Sequence, residues 1–479
     1  MFLRRFYDES LAQASYMIGC TAEGAALVVD PNRDVEQYLV AAAAEGVRLT
    51  HVTETHIHAD FVSGSLQLAR ESGARLLLSN EGDEAWKYAF AAREGAELLR
   101  DGASFEIGAV RVDVVHTPGH TPEHITFLVT DTAVGDQPMG ALTGDFIFVG
   151  DVGRPDLLER AANIAGTMEA GARELFRSLR RFAAFPDYLQ LWPGHGAGSA
   201  CGRALGAMPQ TTLGYEKLFN WAFAVEDEDE FVRLVLAGQP HPPAYFGVMK
   251  HVNREGPAIL PGLPHPRSLT ASLLPSVLSG GALVVDTRPA AEFIEAHIPG
   301  SLSIPLNRSF SNWAGSLLPY DRDLYLIVEG TLDSARMAAD CAARDLSLIG
   351  LDRVVGYVSS DALSTWQESG GTIESVDQLD AQALHDRMAL EEIEVIDVRT
   401  PTEWVHEHIA GARNIPLGAL GGKLNEIERG RPIVLQCESG NRSAIASSVL
   451  MSRGVPGVIN LRGGIAAWRN AKLPVERPS

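Results

Sequence analysis

The sequence predicts an α/β chain of three domains, the first a sandwich of sheets with helices outside and the other two copies of one fold. Three observations predict it. A length of 479 residues corresponds to about three domains at roughly 150 residues each. Apolar runs of strand length alternate with helical segments almost throughout: AALVVDP is followed by DVEQYLVAAAAEG and then by VRLTHVTETH, the pattern of α/β layers. Finally, LVVDTRPAAEFIEAHIPGSLSIPL from Leu283 is matched by VIDVRTPTEWVHEHIAGARNIPL from Val395, with Asp286 and Asp397 as corresponding residues. The two aspartates lie 397 − 286 = 111 residues apart, so the repeat is a whole domain long.

Each element has its justification. In the first 150 residues ARLLLS, FEIGAVRVDVVHT and ITFLVT add many strands, which suits two packed sheets better than one doubly wound sheet. Prolines at 257, 261, 264 and 266 block helix and central strand alike and mark the first boundary, giving domains at 1–252, 265–372 and 376–479. The acidic run at 226–230 reads as a solvated helix start. Apolar residues make up 46% and charged residues 21%, which excludes disorder as the main state. The formal charge of −21 repels phosphate backbones and anionic lipid, so neither nucleic acid nor membrane is an expected partner. No run approaches the roughly 20 apolar residues of a membrane helix, the N-terminus reads as mature protein, and four scattered cysteines argue for a reducing compartment. The expectation is a cytoplasmic protein.

Chemistry concentrates at strand ends. THIHADF carries His56, His58 and Asp60; HTPGHT carries His116 and His120; LTGDFIFVGDVGRPD carries Asp145 and Asp151; WPGHG carries His195. Imidazoles and carboxylates gathered on such loops point to a metal site. The combination resembles the metallo-β-lactamase superfamily over about 250 residues, with its αββα sandwich. There is one departure: Phe61 stands where the pattern H-x-H-x-D-H has its last histidine. Phenylalanine offers no lone pair, so a dinuclear zinc hydrolase is disfavoured. The resemblance then implies the persulfide dioxygenase branch, the ethylmalonic encephalopathy protein-like enzymes. Their single Fe(II) per chain would be held here by His56, His120 and Asp145, a facial triad with open positions. His58, Asp60 and His195 would orient ligands or water from behind. Arg154 is a candidate anion-binding group at the site mouth or else an internal ion pair. Cys201, a few residues past His195, is a candidate holder of sulfane sulfur, although a buried cysteine is more often packing.

The last domain carries IVLQCESGNRSAIASSVLMSRG, in which an apolar strand runs into Cys437 and a helix follows Arg442. A loop at a helix N-terminus turns its amides inward, and both the helix dipole and Arg442 favour thiolate. Four residues intervene, Glu438, Ser439, Gly440 and Asn441, a smaller ring than one that wraps phosphate. With VIDVRTPTEW before it and GGIAAW after it, this resembles the rhodanese sulfurtransferases, and the resemblance implies a persulfide on Cys437. Asp397 and Arg399 are expected to be structural. In the middle copy the same alignment puts Val328 at the cysteine and Asp333 at the arginine. That copy is therefore expected to be a silent rhodanese-like domain acting as spacer, interface or wall of a site. Cys20 and Cys341 are expected to be packing residues.

The resemblances together imply a persulfide dioxygenase fused to two rhodanese domains. Its partners would be a low-molecular-weight thiol persulfide such as glutathione persulfide, O₂, and sulfite or thiosulfate, within a homodimer or tetramer. Two other readings stay open: a glyoxalase II-like zinc thiolester hydrolase fused to a sulfurtransferase, and a sulfur-relay or sensor protein.

Overall fold

The strand-like runs of the N-terminal part form two six-stranded sheets. Strands β1 (Phe2–Asp8), β2 (Gln13–Cys20), β3 (Ala25–Val29), β4 (Arg48–Thr53), β5 (Arg75–Ser79) and β6 (Glu97–Leu99) lie side by side in chain order. The second sheet runs β12 (Thr211–Thr212), β11 (Gln190–Pro193), β10 (Gly140–Gly144), β9 (Ile125–Asp131), β8 (Val110–His116), β7 (Ser104–Ile107). In β8 the valines at 110, 112 and 114 are buried while Arg111 and Asp113 are not, the period-two pattern of a strand with one face inward. Those valines meet Ile18, Leu27 and Leu77 of the first sheet in one core. Helices α1 (Glu36–Ala44) and α2 (Ser65–Ser72) cover the outer face of the first sheet. The outer face of the second is covered by α3 (Thr167–Phe182), whose Ala172, Leu175, Leu179 and Phe182 recur every three or four residues, and by α4 (Glu228–Leu236). The acidic run does start α4, with Asp227 as its N-cap accepting from Glu230 N. The architecture is the expected αββα sandwich. The computed structural model describes residues 1–157, 159, 166–203, 205–390, 393–427 and 430–477.

By chain contacts the protein divides into two compact units, Met1–Gly262 with Leu348–Gly350, and Leu263–Ser347 with Leu351–Ser479. The first runs past residue 252 because buried Asn253 ties down the loop after His58. Its amide donates to the carbonyls of His58 and Phe61 at 2.8 and 2.7 Å and accepts from Ser63 N at 2.9 Å.

The second unit contains two five-stranded parallel sheets. Their orders are β13 (Arg267–Ser268), β17 (Val354–Ser359), β16 (Leu324–Val328), β14 (Leu283–Asp286), β15 (Leu302–Ser303), and β18 (Asp377–Leu379), β23 (Val458–Leu461), β22 (Ile433–Gln436), β19 (Glu394–Asp397), β21 (Arg413–Asn414). The two orders correspond strand for strand, so the sequence repeat is a repeat of topology. Register makes the correspondence exact at residue level: Asp286 pairs with Ile327, and Asp397 pairs with Gln436. The next residues, Val328 and Cys437, are therefore structural equivalents.

Candidate active sites

Three segments that leave strand ends bring His56, His120 and Asp145 together, with one donor atom from each within 4.8 Å of the others and all three side chains buried. Hydrogen bonds behind the imidazoles decide which nitrogen faces inward. His120 Nδ1 donates to the carbonyl of Arg154 at 3.0 Å. His56 Nδ1 lies 2.9 Å from Thr55 Oγ1, whose own proton goes to Asp30 Oδ2. Each ring therefore turns an Nε2 lone pair toward Asp145 Oδ2, at 3.5 Å for His120 and 4.0 Å for His56. Burial, reinforced by neighbouring imidazoles, drives His56 well below its usual range, and burial also lowers His120, so both are neutral donors at neutral pH. Neither carboxylate oxygen of Asp145 has a hydrogen-bond partner despite full burial. A buried carboxylate without hydrogen bonds is costly, and two neutral imidazoles aimed at one of its oxygens are what a divalent cation requires. The residues fit a metal.

His58 points elsewhere. Its Nε2 is 3.1 Å from Asp30 Oδ1; burial disfavours its charge, but Asp30, Glu54 and Asp60 outweigh burial and hold it at about 9. A protonated imidazole is no ligand. Phe61 packs on the same ring at 4.4 Å between centroids, so the position where a second cation would find an imidazole is apolar. His195 donates through Nδ1 to the carbonyl of Ala12 at 3.0 Å and presents Nε2 to Asp60 Oδ2 at 3.2 Å and to Asp145 Oδ1 at 3.5 Å. Asp145 and Asp60 hold it above its usual range against burial. Gly194 before it has no room for a side chain, since a Cβ would lie 2.9 Å from Asp145 Oδ1. Cys201 joins Asp60 and His195 in a second buried group, and burial together with those carboxylates raises its thiol well above the usual value.

Several residues with a part in the site were not singled out by the sequence. His124 stacks on His56 at 5.1 Å, and its Nε2 accepts from Asp145 N at 3.2 Å; its signal was the fourth position after His120 in the same loop. Asp30, in the left-handed region at φ 53°, binds Thr55 and His58; an aspartate directly before proline at a strand end was the available cue. Arg154 requires a correction. It is fully buried, not at a mouth: its guanidinium pairs with Asp156 at 2.8 and 2.9 Å and donates to the carbonyls of Ala200 and Pro240. With those contacts it braces the loop that carries Cys201. His116 and Asp151 also serve structure, the former bonded to the carbonyl of Pro122 and the latter to Arg203 N and Trp221 Nε1.

In the second unit β22 ends at Gln436 and α7 (Asn441–Ser452) begins after Gly440, which sits in the left-handed region at φ 98°. In the middle copy α5 (Leu332–Leu348) stands in the place of α7, and α6 (Pro401–His406) follows β19 in the last copy. The loop folds back on its own cysteine: Gly440 N donates to Cys437 Sγ at 3.2 Å and Ser443 Oγ lies at 3.5 Å. α8 (Gly464–Asn470) closes the other side, with Ile465 N on the carbonyl of Cys437 at 2.8 Å. Gly464 is needed there because a Cβ would collide with the carbonyls of Cys437 and Glu438. Arg442 is clamped by Glu403 of α6 at 2.6 and 2.8 Å. Burial works against the Glu403 carboxylate, but Arg442 and Thr400 hold it down to about 2. Glu438 faces outward and pairs with Arg469. Asp397 grips Arg399, which also donates to the carbonyl of Glu407 at 2.7 Å.

The middle copy keeps that last pair, as Asp286 with Arg288, and has neither thiol nor guanidinium in its loop: Asp333, in the place of Arg442, is 92% exposed. It nevertheless borders the competent loop. A cavity of about 780 Å³ is lined by Pro305, Leu306 and Trp313 from the middle copy and by Ser439, Asn441 and Arg442 from the last. Cys341 is corrected as well: it is exposed on α5, not packed, while Cys20 is buried as expected.

The geometry defines a metal-site enzyme domain of the αββα class combined with a sulfurtransferase-type pair of domains. Comparison with known proteins agrees. Residues 10–195 match the metallo-beta-lactamase superfamily, and residues 271–361 and 380–471 match the rhodanese-like domain. A crystal structure of a metallo-beta-lactamase from Staphylococcus aureus subsp. aureus COL is 41% identical, covers 75% of this chain and 99% of its own, and superposes with a TM-score of 0.68. A sulfurtransferase of Allochromatium vinosum is 38% identical over 104 residues, 22% of this chain and 97% of that protein. The structure of ETHE1 from Myxococcus xanthus is 26% identical over 53% of this chain and 98% of its own, with a TM-score of 0.43. The chain belongs to the metallo-beta-lactamase superfamily and carries two rhodanese-like domains. Among the described residues no helix is long and apolar enough to cross a membrane.

Proposed function

We propose that the chain is a two-site enzyme of persulfide metabolism: an Fe(II) persulfide dioxygenase joined to a sulfurtransferase that works through Cys437. The observation that carries the first half is the donor set. His56 and His120 each commit Nδ1 to a fixed acceptor and turn Nε2 on one oxygen of unpartnered Asp145, while His58 is captured by Asp30 and Phe61 supplies no donor. Two imidazoles and one carboxylate suit non-haem iron, and iron held there would supply open coordination positions and redox chemistry for O₂ and a persulfide. One persulfide, one O₂ and one water give one thiol and one sulfite with two protons. The chain's own contribution is to hold the donors in one tautomer and to keep the surroundings dry, since every side chain of the set is buried.

In the second half the Cys437 thiolate attacks the outer sulfur of a persulfide, the S–S bond breaks, and the carrier leaves as thiol. Sulfite then takes the outer sulfur as thiosulfate and restores the thiolate. Gly440 N and the start of α7 stabilise negative charge on sulfur throughout, and the cavity beside Arg442 is large enough to admit an organic carrier. Fusion makes the sulfite of one site available to the other at high effective concentration.

Oxygen uptake by the purified, metal-analysed protein against a panel of persulfides tests the reading. Uptake that requires both iron and persulfide is expected. Oxygen-independent cleavage of an acyl-glutathione thiolester, with no uptake, would establish the hydrolase instead. In the same preparation Cys437→Ser should abolish sulfur transfer to cyanide and leave the iron content unchanged.

A further inference from the structure

The cavity of about 780 Å³ lies where the middle copy would carry a nucleophile of its own. Leu306 N donates to the carbonyl of Thr287 at 2.9 Å, as Leu417 N donates to that of Val398 at 3.1 Å, so the loops around Cys437 have counterparts around Val328. Thr287, Leu306 and Glu329 of those counterparts line the cavity. The carboxyl ends of parallel strands are where open α/β sheets bind ligands, and the volume lies within the range of about 300–1,000 Å³ for small-molecule sites. The copy has lost the reacting group and kept the room. Its charges are uneven. The lining has one carboxylate, Glu329, and one guanidinium, Arg442. Arg442 is already neutralised by Glu403, which takes one N–H from each terminal nitrogen; the remaining N–H groups are available to another acceptor. Glu329 is exposed, and among the described residues it makes no ion pair, whereas its counterpart Glu438 is taken by Arg469. The lining is therefore net negative, in a chain of formal charge −21.

We propose that the silent copy is a recognition domain, whose cavity binds the organic part of an amino-acid- or peptide-type thiol carrier and selects it by its ammonium group. Glu329 receives the ammonium. A carboxylate of the same carrier meets the remaining N–H groups of Arg442, and the side-chain amides of Asn307 and Asn441, also in the lining, suit a peptide backbone. Trp313 and Leu306 supply the apolar wall. A carrier bearing several phosphates is rejected by the same charges, because the lining holds no cation that is not already paired while Glu329 repels it. No bond forms or breaks in the cavity: the carrier is held, and the transfer of sulfur stays at Cys437. The inference deepens the sulfurtransferase reading, on which it rests for the ligand's being a thiol carrier, and it names the carrier's class.

The test titrates the full chain with S-methylglutathione, which has no thiol and does not react at Cys437, and reads hydrogen exchange by mass spectrometry in peptides covering 305–313 and 439–445. A local readout separates this cavity from any binding in the first unit. Protection of both segments is expected. Glu329→Gln should raise the concentration for half-protection at least about threefold, the size of one solvent-exposed ion pair. N-acetyl-S-methylglutathione, which lacks the ammonium, should need a similar excess in the parent chain and should match S-methylglutathione in Glu329→Gln. Trp313→Ala should weaken both probes by the same factor, since it removes apolar wall and no charge. The proposal is overturned by absence of protection, by a shift below threefold in Glu329→Gln, or by a difference between the probes that persists in that variant. Unchanged protection in Trp313→Ala, or S-methyl-coenzyme A protecting the segments at equal or lower concentration, overturns it too. Failure of the sulfurtransferase reading looks different. The parent chain would then form no thiocyanate from glutathione persulfide and cyanide, while protection by S-methylglutathione and its dependence on Glu329 remain.

Discussion

Replacing Glu403 by glutamine should loosen the start of α7 without changing its shape. Glu403 closes a capping box with Thr400 and holds both terminal nitrogens of Arg442. Its carboxyl is brought from 4.5 to about 2, against the opposing effect of burial. At 1.36 kcal/mol for each tenfold change in proton affinity that is about 3 kcal/mol. The side chain is a third exposed, so solvent screening reduces the expected contribution to about 1–2 kcal/mol. Because the folded value lies below the unfolded one, the contribution is fully present above pH 4.5 and is lost as pH falls through about 2. Hydrogen exchange of amides in 441–452, followed by mass spectrometry, reads the opening of α7 directly. Glu403→Gln should lower the opening free energy by about 1–2 kcal/mol at pH 7, with the same difference at pH 6 and pH 8. A difference under about 0.3 kcal/mol, or one that changes between pH 6 and pH 8, would refute the clamp as the source of the stability.

Three other outcomes follow from the same contacts. His120→Ala should lose bound iron and persulfide-dependent oxygen uptake and should keep sulfur transfer from persulfide to cyanide, as measured on one preparation by metal analysis, oxygen electrode and thiocyanate formation. Arg154→Met removes the guanidinium of a buried ion pair with Asp156 together with its bonds to the carbonyls of Ala200 and Pro240, which costs about 3–5 kcal/mol; calorimetry should show the unfolding transition of the first unit lowered by roughly 6–20 °C. Gly464→Ala forces a Cβ against the carbonyls of Cys437 and Glu438 at a left-handed φ of 55°, so sulfur transfer should fall at least tenfold with no change in iron content.

What the sequence disclosed follows the range of the interactions involved. That His56, His120 and Asp145 belong to one candidate group came from the resemblance of their motifs to a known superfamily, and the structure brings the three together; strand periodicity placed only the loops that carry them. The direction of His58 was not legible. It depends on Asp30, 28 residues away, and no local pattern links THIHADF to a strand that ends before Pro31. The burial of Arg154 depends on carbonyls of Ala200 and Pro240, which lie in loops without periodicity. Cys341 was misread for a different reason: helical spacing alone did not assign it to a face of α5, and it falls on the exposed one.

The two rhodanese-like copies separate what the fold needs from what the chemistry needs. Both keep an aspartate at the end of the first central strand and an arginine two residues on, and in both the arginine reaches a backbone carbonyl, of Ala296 in one and Glu407 in the other. Both also stack a histidine on an aromatic ring one helical turn earlier, His297 on Phe293 and His408 on Trp404. The middle copy has Val328 and exposed Asp333 where the last has Cys437 and Arg442, yet its sheet has the same order and register. The Asp–Arg pair is therefore a fastening of the strand end, which costs too much to leave half made once buried. The cysteine and the loop arginine carry no part of that fastening. A domain stripped of them keeps its surface, and here that surface lines the cavity next to Arg442. The middle copy therefore contributes Pro305, Leu306 and Trp313 to the wall of the cavity that Arg442 also lines, without a nucleophile of its own.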